Sequence, residues 1–175
     1  MAGHSKWVQI KRKKAVTDAK RGKLFSKLVR FISMEAKRVK GDINSPALRA
    51  AIEKARKANM PADNINRAVK KASEPGGDME TITYEAYGPG GVGIIIEALT
   101  DSRNKAAQEI KHILSKNGFA LAGIGSVLWA FKKEINEWHP TTVVPLSDED
   151  VERLDILVTE LEDSDEVQAV FTNTQ

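Results

Sequence analysis

The chain has 175 residues, 41% of them hydrophobic and 29% charged, and no cysteine; it can bury a real core but carries no disulfide framework, thiolate metal site or cysteine nucleophile. Its net charge of +3 hides a division: residues 1–75 hold 20 Lys/Arg against 6 Asp/Glu, whereas residues 76–175 hold 7 against 18. A half this basic suits a polyanion and the acidic half repels one, while the short apolar runs exclude a membrane span and the N-terminus shows no secretory pattern, so the expected location is cytoplasmic.

Residues 1–16 read as an arm, because Lys11, Arg12, Lys13 and Lys14 are consecutive and repel one another. Residues 18–40 are predicted to form a helix. At 100° per residue, Leu24, Phe25, Leu28, Val29, Phe31, Ile32 and Val39 fall on one half of the wheel. Lys20, Lys23, Lys27, Arg30, Lys37 and Arg38 fall in an arc on the other side, and Gly41 ends the helix. Ser45 is expected to cap a second helix with Pro46 at its first position, and Pro61 to open a third in the same way. Leu48, Ala51, Ile52 and Ala55, then Ile65, Ala68, Val69 and Ala72, supply their inner faces, which predicts an N-terminal three-helix bundle with a thin, Ala-rich core. Residues 73–78 (Ser-Glu-Pro-Gly-Gly-Asp) read as a linker, dividing the chain into a basic helical domain over 1–75 and an α/β domain over 79–175.

The period changes after the linker. Strands are predicted at Thr81–Tyr87 and Val92–Leu99, joined by the turn Gly88-Pro89-Gly90-Gly91, followed by a helix capped at Asp101 or Ser102 and closed by Asn117-Gly118. Ser126–Phe131 and Thr141–Leu146 read as two more strands. Ser147 then caps an acidic helix, and Val167–Phe171 is a last strand. The order β-β-α-β-β-α-β predicts an α+β chain whose second domain is a ferredoxin-like split βαβ sheet.

Gly88, Gly90 and Gly93 match G-x-G-x-x-G, but a strand follows where a dinucleotide site needs a helix. His4, His112 and His139 have no metal-type spacing, and no Ser-His-acid set is present, so no catalytic residue, metal, cofactor or small-molecule substrate is expected and the chain reads as a non-enzyme. The arm points elsewhere. Trp7 stands among His4, Lys6, Lys11 and Arg12, and an aromatic beside cations stacks on an exposed base while the cations neutralise phosphate. The competing reading packs Trp7 against the helices. The nucleic-acid-binding set is therefore His4, Lys6, Trp7, Lys11, Arg12, Lys13, Lys14, Lys20, Arg21, Lys23, Lys27 and Arg30.

The residues also resemble a known family. Met1-Ala2-Gly3-His4-Ser5-Lys6-Trp7, Ile10-Lys11 and Asp18-Ala19-Lys20-Arg21-Gly22-Lys23 are similar to the N-terminal signature of the YebC/PmpR family. Ala58-Asn59-Met60-Pro61, Tyr84-Glu85-Ala86-Tyr87-Gly88-Pro89-Gly90-Gly91, Thr100-Asp101-Ser102-Arg103-Asn104 and Gly125-Ser126-Val127 resemble its later blocks, in order. The resemblance implies a helical domain followed by α/β domains, and a role in gene expression. Family members are described as DNA-binding transcriptional regulators; others, including a mitochondrial translational activator, act on translation, and bacterial relatives relieve ribosome stalling. DNA and rRNA or the ribosome thus both stand as partners, and a protein-interaction role for the acidic half is a third reading. The chain departs from the family in length: only Lys132–His139 occupies the place of an additional α/β domain. The role of the turn Tyr87, Gly88, Pro89, Gly90 and Gly91 stays open.

Overall fold

The structure, a computed structural model, describes residues 18–75 and 78–175. It is α+β. The described residues divide into two compact units: the helices up to Met79 with Ile135–Glu137, and Glu80–Glu134 with Trp138–Gln175.

The first unit has helices α1 (Asp18–Arg38), α2 (Pro46–Lys57) and α3 (Ala62–Lys70). Leu28, Ile32 and Ala36 from α1 meet Leu48, Ala51 and Ala55 from α2 and Ile65 and Ala68 from α3 in one core. The Ser33 hydroxyl donates to the Ala68 carbonyl at 2.9 Å and ties α1 to α3. Lys40 and Gly41 both take positive φ after α1, and the Gly41 N–H closes the end on the Ala36 carbonyl at 2.8 Å. The Ala58–Pro61 block turns α2 into α3: Asn59 is left-handed at φ 62°, the Met60 N–H bonds the Ala55 carbonyl at 3.0 Å, and Met60 is buried. Ser45 occupies the N-cap of α2 with Pro46 behind it, yet its hydroxyl makes no capping bond, and Pro61 sits at the N-cap of α3, one position before the helix begins.

The second unit is built on an antiparallel sheet in the order β1-β2-β5, from β1 (Glu80–Tyr87), β2 (Gly93–Thr100) and β5 (Val167–Thr172). Helices α4 (Arg103–Lys116) and α5 (Asp148–Asp163) share one core with Ile94, Ile96 and Ala98 of β2. The other face of β2 is also covered: Ile95 packs with Val127, Ala130 and Phe131. Coverage on both sides explains why every residue of β2 is buried and why its sequence runs apolar without alternation. Ser102 and Ser147 cap α4 and α5 through their hydroxyls, accepting from the N–H groups of Lys105 and Asp150.

Three expectations for this unit need correction. Residues 126–130 form no strand, and Phe131 only opens a later one. The backbone N–H groups of Gly125, Val127 and Leu128 are bound by the Glu85 carboxylate instead of a neighbouring strand, and a short 3-10 turn covers Leu128–Ala130. Thr141–Leu146 also fails as a strand: Pro140 and Pro145 have no N–H to give, Thr141 and Thr142 donate to the Ala130 carbonyl, and only the isolated bridge Val144–Thr174 remains. The segment between them, expected as a connector, is a hairpin of β3 (Phe131–Glu134) and β4 (Glu137–Pro140). The β-β-α-β-β-α-β order is therefore present, but β3 and β4 pair only with each other, and the main sheet has three strands where a ferredoxin-like sheet has four. Glu97, inside the apolar run of β2, holds the hairpin by accepting from Lys133 Nζ at 3.0 Å and Trp138 Nε1 at 2.9 Å.

Candidate nucleic-acid interface

Helix α1 carries the described part of the expected set. Lys20 and Arg21 are exposed, and Lys23 and Arg30 are half-buried. Arg30 Nη2 reaches Met79 Sδ at 3.8 Å. Lys27 departs from the expectation: it is only 9% exposed, so the wheel that placed it on a solvent arc missed its burial. A long lysine stem is readily covered by neighbours, which a helical wheel does not register. His4, Lys6, Trp7, Lys11, Arg12, Lys13 and Lys14 lie outside the described residues.

The position of these cations along the helix matters. Lys37 and Arg38 lie in the last turn of α1, where the helix dipole favours positive charge. They also have carboxylate partners: Lys37 Nζ is 2.5 Å from Asp78 Oδ1, which holds the Asp78 carboxyl below its usual range, and Arg38 Nη2 is 2.9 Å from the buried Glu35. Lys54, Arg56 and Lys57 on α2, and Arg67 and Lys70 on α3, likewise occupy last turns. Lys20 and Arg21 lie far from the last turn of α1 and are exposed. Exposed Lys40, Arg49, Lys57, Lys70 and Lys71 enlarge the basic surface of this unit. The motif-led reading passed over them because they belong to no charge run; the surplus summed along α2 and α3 would have found them.

The second unit assembles two distant motif blocks into one feature. Glu85 pairs with Ile95 in the β1–β2 register, so its side chain leaves the sheet on the face covered by residues 127–131. There its buried carboxylate accepts from Gly125 N at 2.6 Å, Val127 N at 2.7 Å and Leu128 N at 2.9 Å. Tyr87, two residues on and on the same face, donates its hydroxyl to the Ser126 carbonyl at 2.6 Å, and Trp129 Nε1 donates to that same oxygen at 2.8 Å. The turn after Tyr87 is fixed by sterics. Gly90 has φ 66°, and a Cβ there would lie 2.5 Å from Leu146 Cδ2 and 3.0 Å from Asp150 Oδ2. Gly93 opens β2 where a Cβ would fall 2.8 Å from Val127 Cγ1. Trp129 was not singled out from the sequence, and Glu85 and Ser126 stood there only as members of motif blocks; the strand register and the chain's return give them their roles.

The remaining blocks do structural work. In Thr100–Asn104, the Thr100 hydroxyl bonds the buried Glu166 carboxylate and accepts from Ser102 N at 2.9 Å. Arg103 meets Glu80 through two bonds of 2.8 Å, which raises the pKa of its guanidinium. Among the described residues, no group of three or more His, Asp or Glu could hold a metal ion, and no helix is long and apolar enough to cross a membrane.

A basic three-helix unit followed by an α/β unit with this glycine turn defines the class to which the chain belongs. The family model for the TACO1/YebC protein N-terminal domain matches residues 5–75, and that for the TACO1/YebC second and third domain matches residues 79–136. The chain belongs to the TACO1/YebC family. It is 48% identical over 169 residues to a probable transcriptional regulatory protein of Chlorobaculum tepidum, covering 95% of this chain and 67% of that one. It is 53% identical over 137 residues to a probable transcriptional regulatory protein of Chloroherpeton thalassium, covering 77% of this chain and 55% of that one. The chain thus spans between about half and two thirds of the length of these relatives. The crystal structure of a conserved hypothetical protein from Aquifex aeolicus is similar with a TM-score of 0.77 and 27% identity, covering 94% of this chain and 96% of that one.

Proposed function

We propose that the chain is a non-enzymatic, cytoplasmic regulator of gene expression that binds nucleic acid through its basic half, without a cofactor. The observation that carries this reading is the surplus of cations in this half, 20 Lys/Arg against 6 Asp/Glu over residues 1–75, with Lys20, Arg21, Lys40, Arg49, Lys57, Lys70 and Lys71 exposed on the helical unit. A half this basic is drawn to a polyanion, and phosphate contacts would position the chain on it. The sequence adds His4, Lys6, Trp7, Lys11, Arg12, Lys13 and Lys14 to the proposed binding set, together with Lys23 and Arg30 of α1. The relatives' names support duplex DNA as the target and transcription as the process.

The spread of exposed cations over α1, α2 and α3 favours a second reading, a translation factor bound to rRNA on the ribosome. Exposed Arg49 and Lys57 belong to α2 and exposed Lys70 to α3, and cations distributed over three helices suit RNA, which is recognised largely by shape. Binding to duplex DNA, structured rRNA and intact ribosomes, compared for wild type and a Lys20→Glu, Arg21→Glu, Lys23→Glu variant, separates the two. Sequence-selective DNA binding lost in the variant is the expected result. Tight ribosome binding with weak, sequence-blind DNA affinity moves the assignment to translation, and equal binding by wild type and variant overturns both.

A further inference from the structure

We infer that Tyr87, Ile124 and Trp129 form a docking surface for a basic polypeptide segment that carries an apolar anchor. Ile124 is 100% exposed, Trp129 65% and Tyr87 45%. These side chains do not sit on a slack loop. The Glu85 carboxylate binds three of the loop's backbone N–H groups, and the Tyr87 hydroxyl and the Trp129 indole converge on the one carbonyl of Ser126. A buried, fully satisfied carboxylate thus holds in place a loop whose tip shows a whole isoleucine to water. Core packing gains nothing from that display, whereas a partner gains an apolar anchor point whose order is already established.

Charge complementarity selects the partner. Residues 80–175 hold 17 Asp/Glu against 7 Lys/Arg. Of those seven, Arg103, Lys105, Lys116, Lys132, Lys133 and Arg153 each have a carboxylate partner within the unit. The glycine turn runs from Tyr87 to Gly90, which lies against Asp150 in the first turn of α5, and exposed Asp148, Glu149 and Glu152 follow from the same turn. A polyanion is repelled here, while a lysine- or arginine-rich segment is drawn in and its apolar residue meets Trp129 and Ile124. This surface belongs to the α/β unit and uses none of the α1 cations, so the inference does not rest on the proposed function.

The test is fluorescence anisotropy with the intact chain and a labelled peptide of alternating lysine and leucine around one tryptophan, beside its glutamate counterpart and a labelled single-stranded oligonucleotide. The lysine peptide is expected to bind and the other two not. Ile124→Ser with Trp129→Ala should weaken that binding about tenfold, and Glu149→Gln with Glu152→Gln about threefold with a flatter salt response. Ile124 and Glu149 are exposed, so an unchanged urea midpoint in Ile124→Ser and in Glu149→Gln keeps folding out of the comparison. No binding of the lysine peptide, equal binding by the Ile124→Ser, Trp129→Ala variant, or preference for the oligonucleotide overturns the inference. So does sedimentation showing a self-associated chain that this variant dissociates, since a second copy would then cover the patch. Nucleic-acid affinity measured on the same variants should be unchanged, and its loss would count against the division of labour between the two surfaces.

Discussion

In the helical unit, four of the nine buried core residues are alanines, and most charge stands at the surface. In the α/β unit the acidic residues are partly drawn inside: Glu85, Glu97 and Glu166 are each 4% exposed, and each is bonded to named donors. One unit presents its charge and the other partly uses its charge as framework. A charge total therefore tells which unit suits a polyanion, but only geometry separates a carboxylate that repels a ligand from one that holds a loop.

Substitutions can break or sharpen this contrast. The largest effect is expected for Glu85→Ala, which leaves three backbone N–H groups without their acceptor and should cost about 3 kcal/mol in urea denaturation followed by tryptophan fluorescence. A cost near zero would show that the loop does not depend on the carboxylate. Gly90→Ala must adopt positive φ and displace Leu146, and should cost about 2 kcal/mol in the same transition. Arg21→Glu separates binding from folding: reversing this exposed charge should change the stability of the helical unit by no more than about 0.5 kcal/mol while weakening nucleic-acid binding. A destabilised Arg21→Glu chain would mean that the arginine serves the fold.

The smallest effect is a pH dependence. Asn117 and Lys116 donate to the Glu160 carboxylate at 3.0 and 3.1 Å and lower its pKa. A carboxylate whose folded pKa lies below its unfolded one contributes stability above the unfolded value and loses it as pH falls through the folded one. The stability gap between wild type and Glu160→Gln should thus be small at neutral pH and close in acid. A gap that widens in acid contradicts the assignment.

The helices were legible because their apolar residues recur at helical spacing and because Gly41, Pro46, Pro61 and Asn117-Gly118 punctuate them. Strands β1, β2 and β5 were legible within one residue at each end. The two expected strands that failed share a cause: their backbone groups are bound to a distant side chain or carbonyl, or are blocked by proline, and hydrophobic pattern carries no trace of that. For the same reason the Tyr87–Gly91 turn and the Gly125–Val127 block were visible, but the meeting of Tyr87 and Trp129 on the Ser126 carbonyl was not. Lys27 shows the converse, a residue whose type and spacing announce a surface while packing buries it.

The most direct test of the assignment of charge to role is the salt dependence of nucleic-acid affinity, measured on wild type and on Lys20→Glu, Arg21→Glu, Lys23→Glu. Each phosphate neutralised adds close to one to the log–log slope. The expected result is a steep slope for wild type that falls by about 2–3 in the variant, with the α/β unit's urea midpoint unchanged. A flat wild-type response, or a slope that the reversal leaves intact, would contradict the claim that these helix cations contact phosphate.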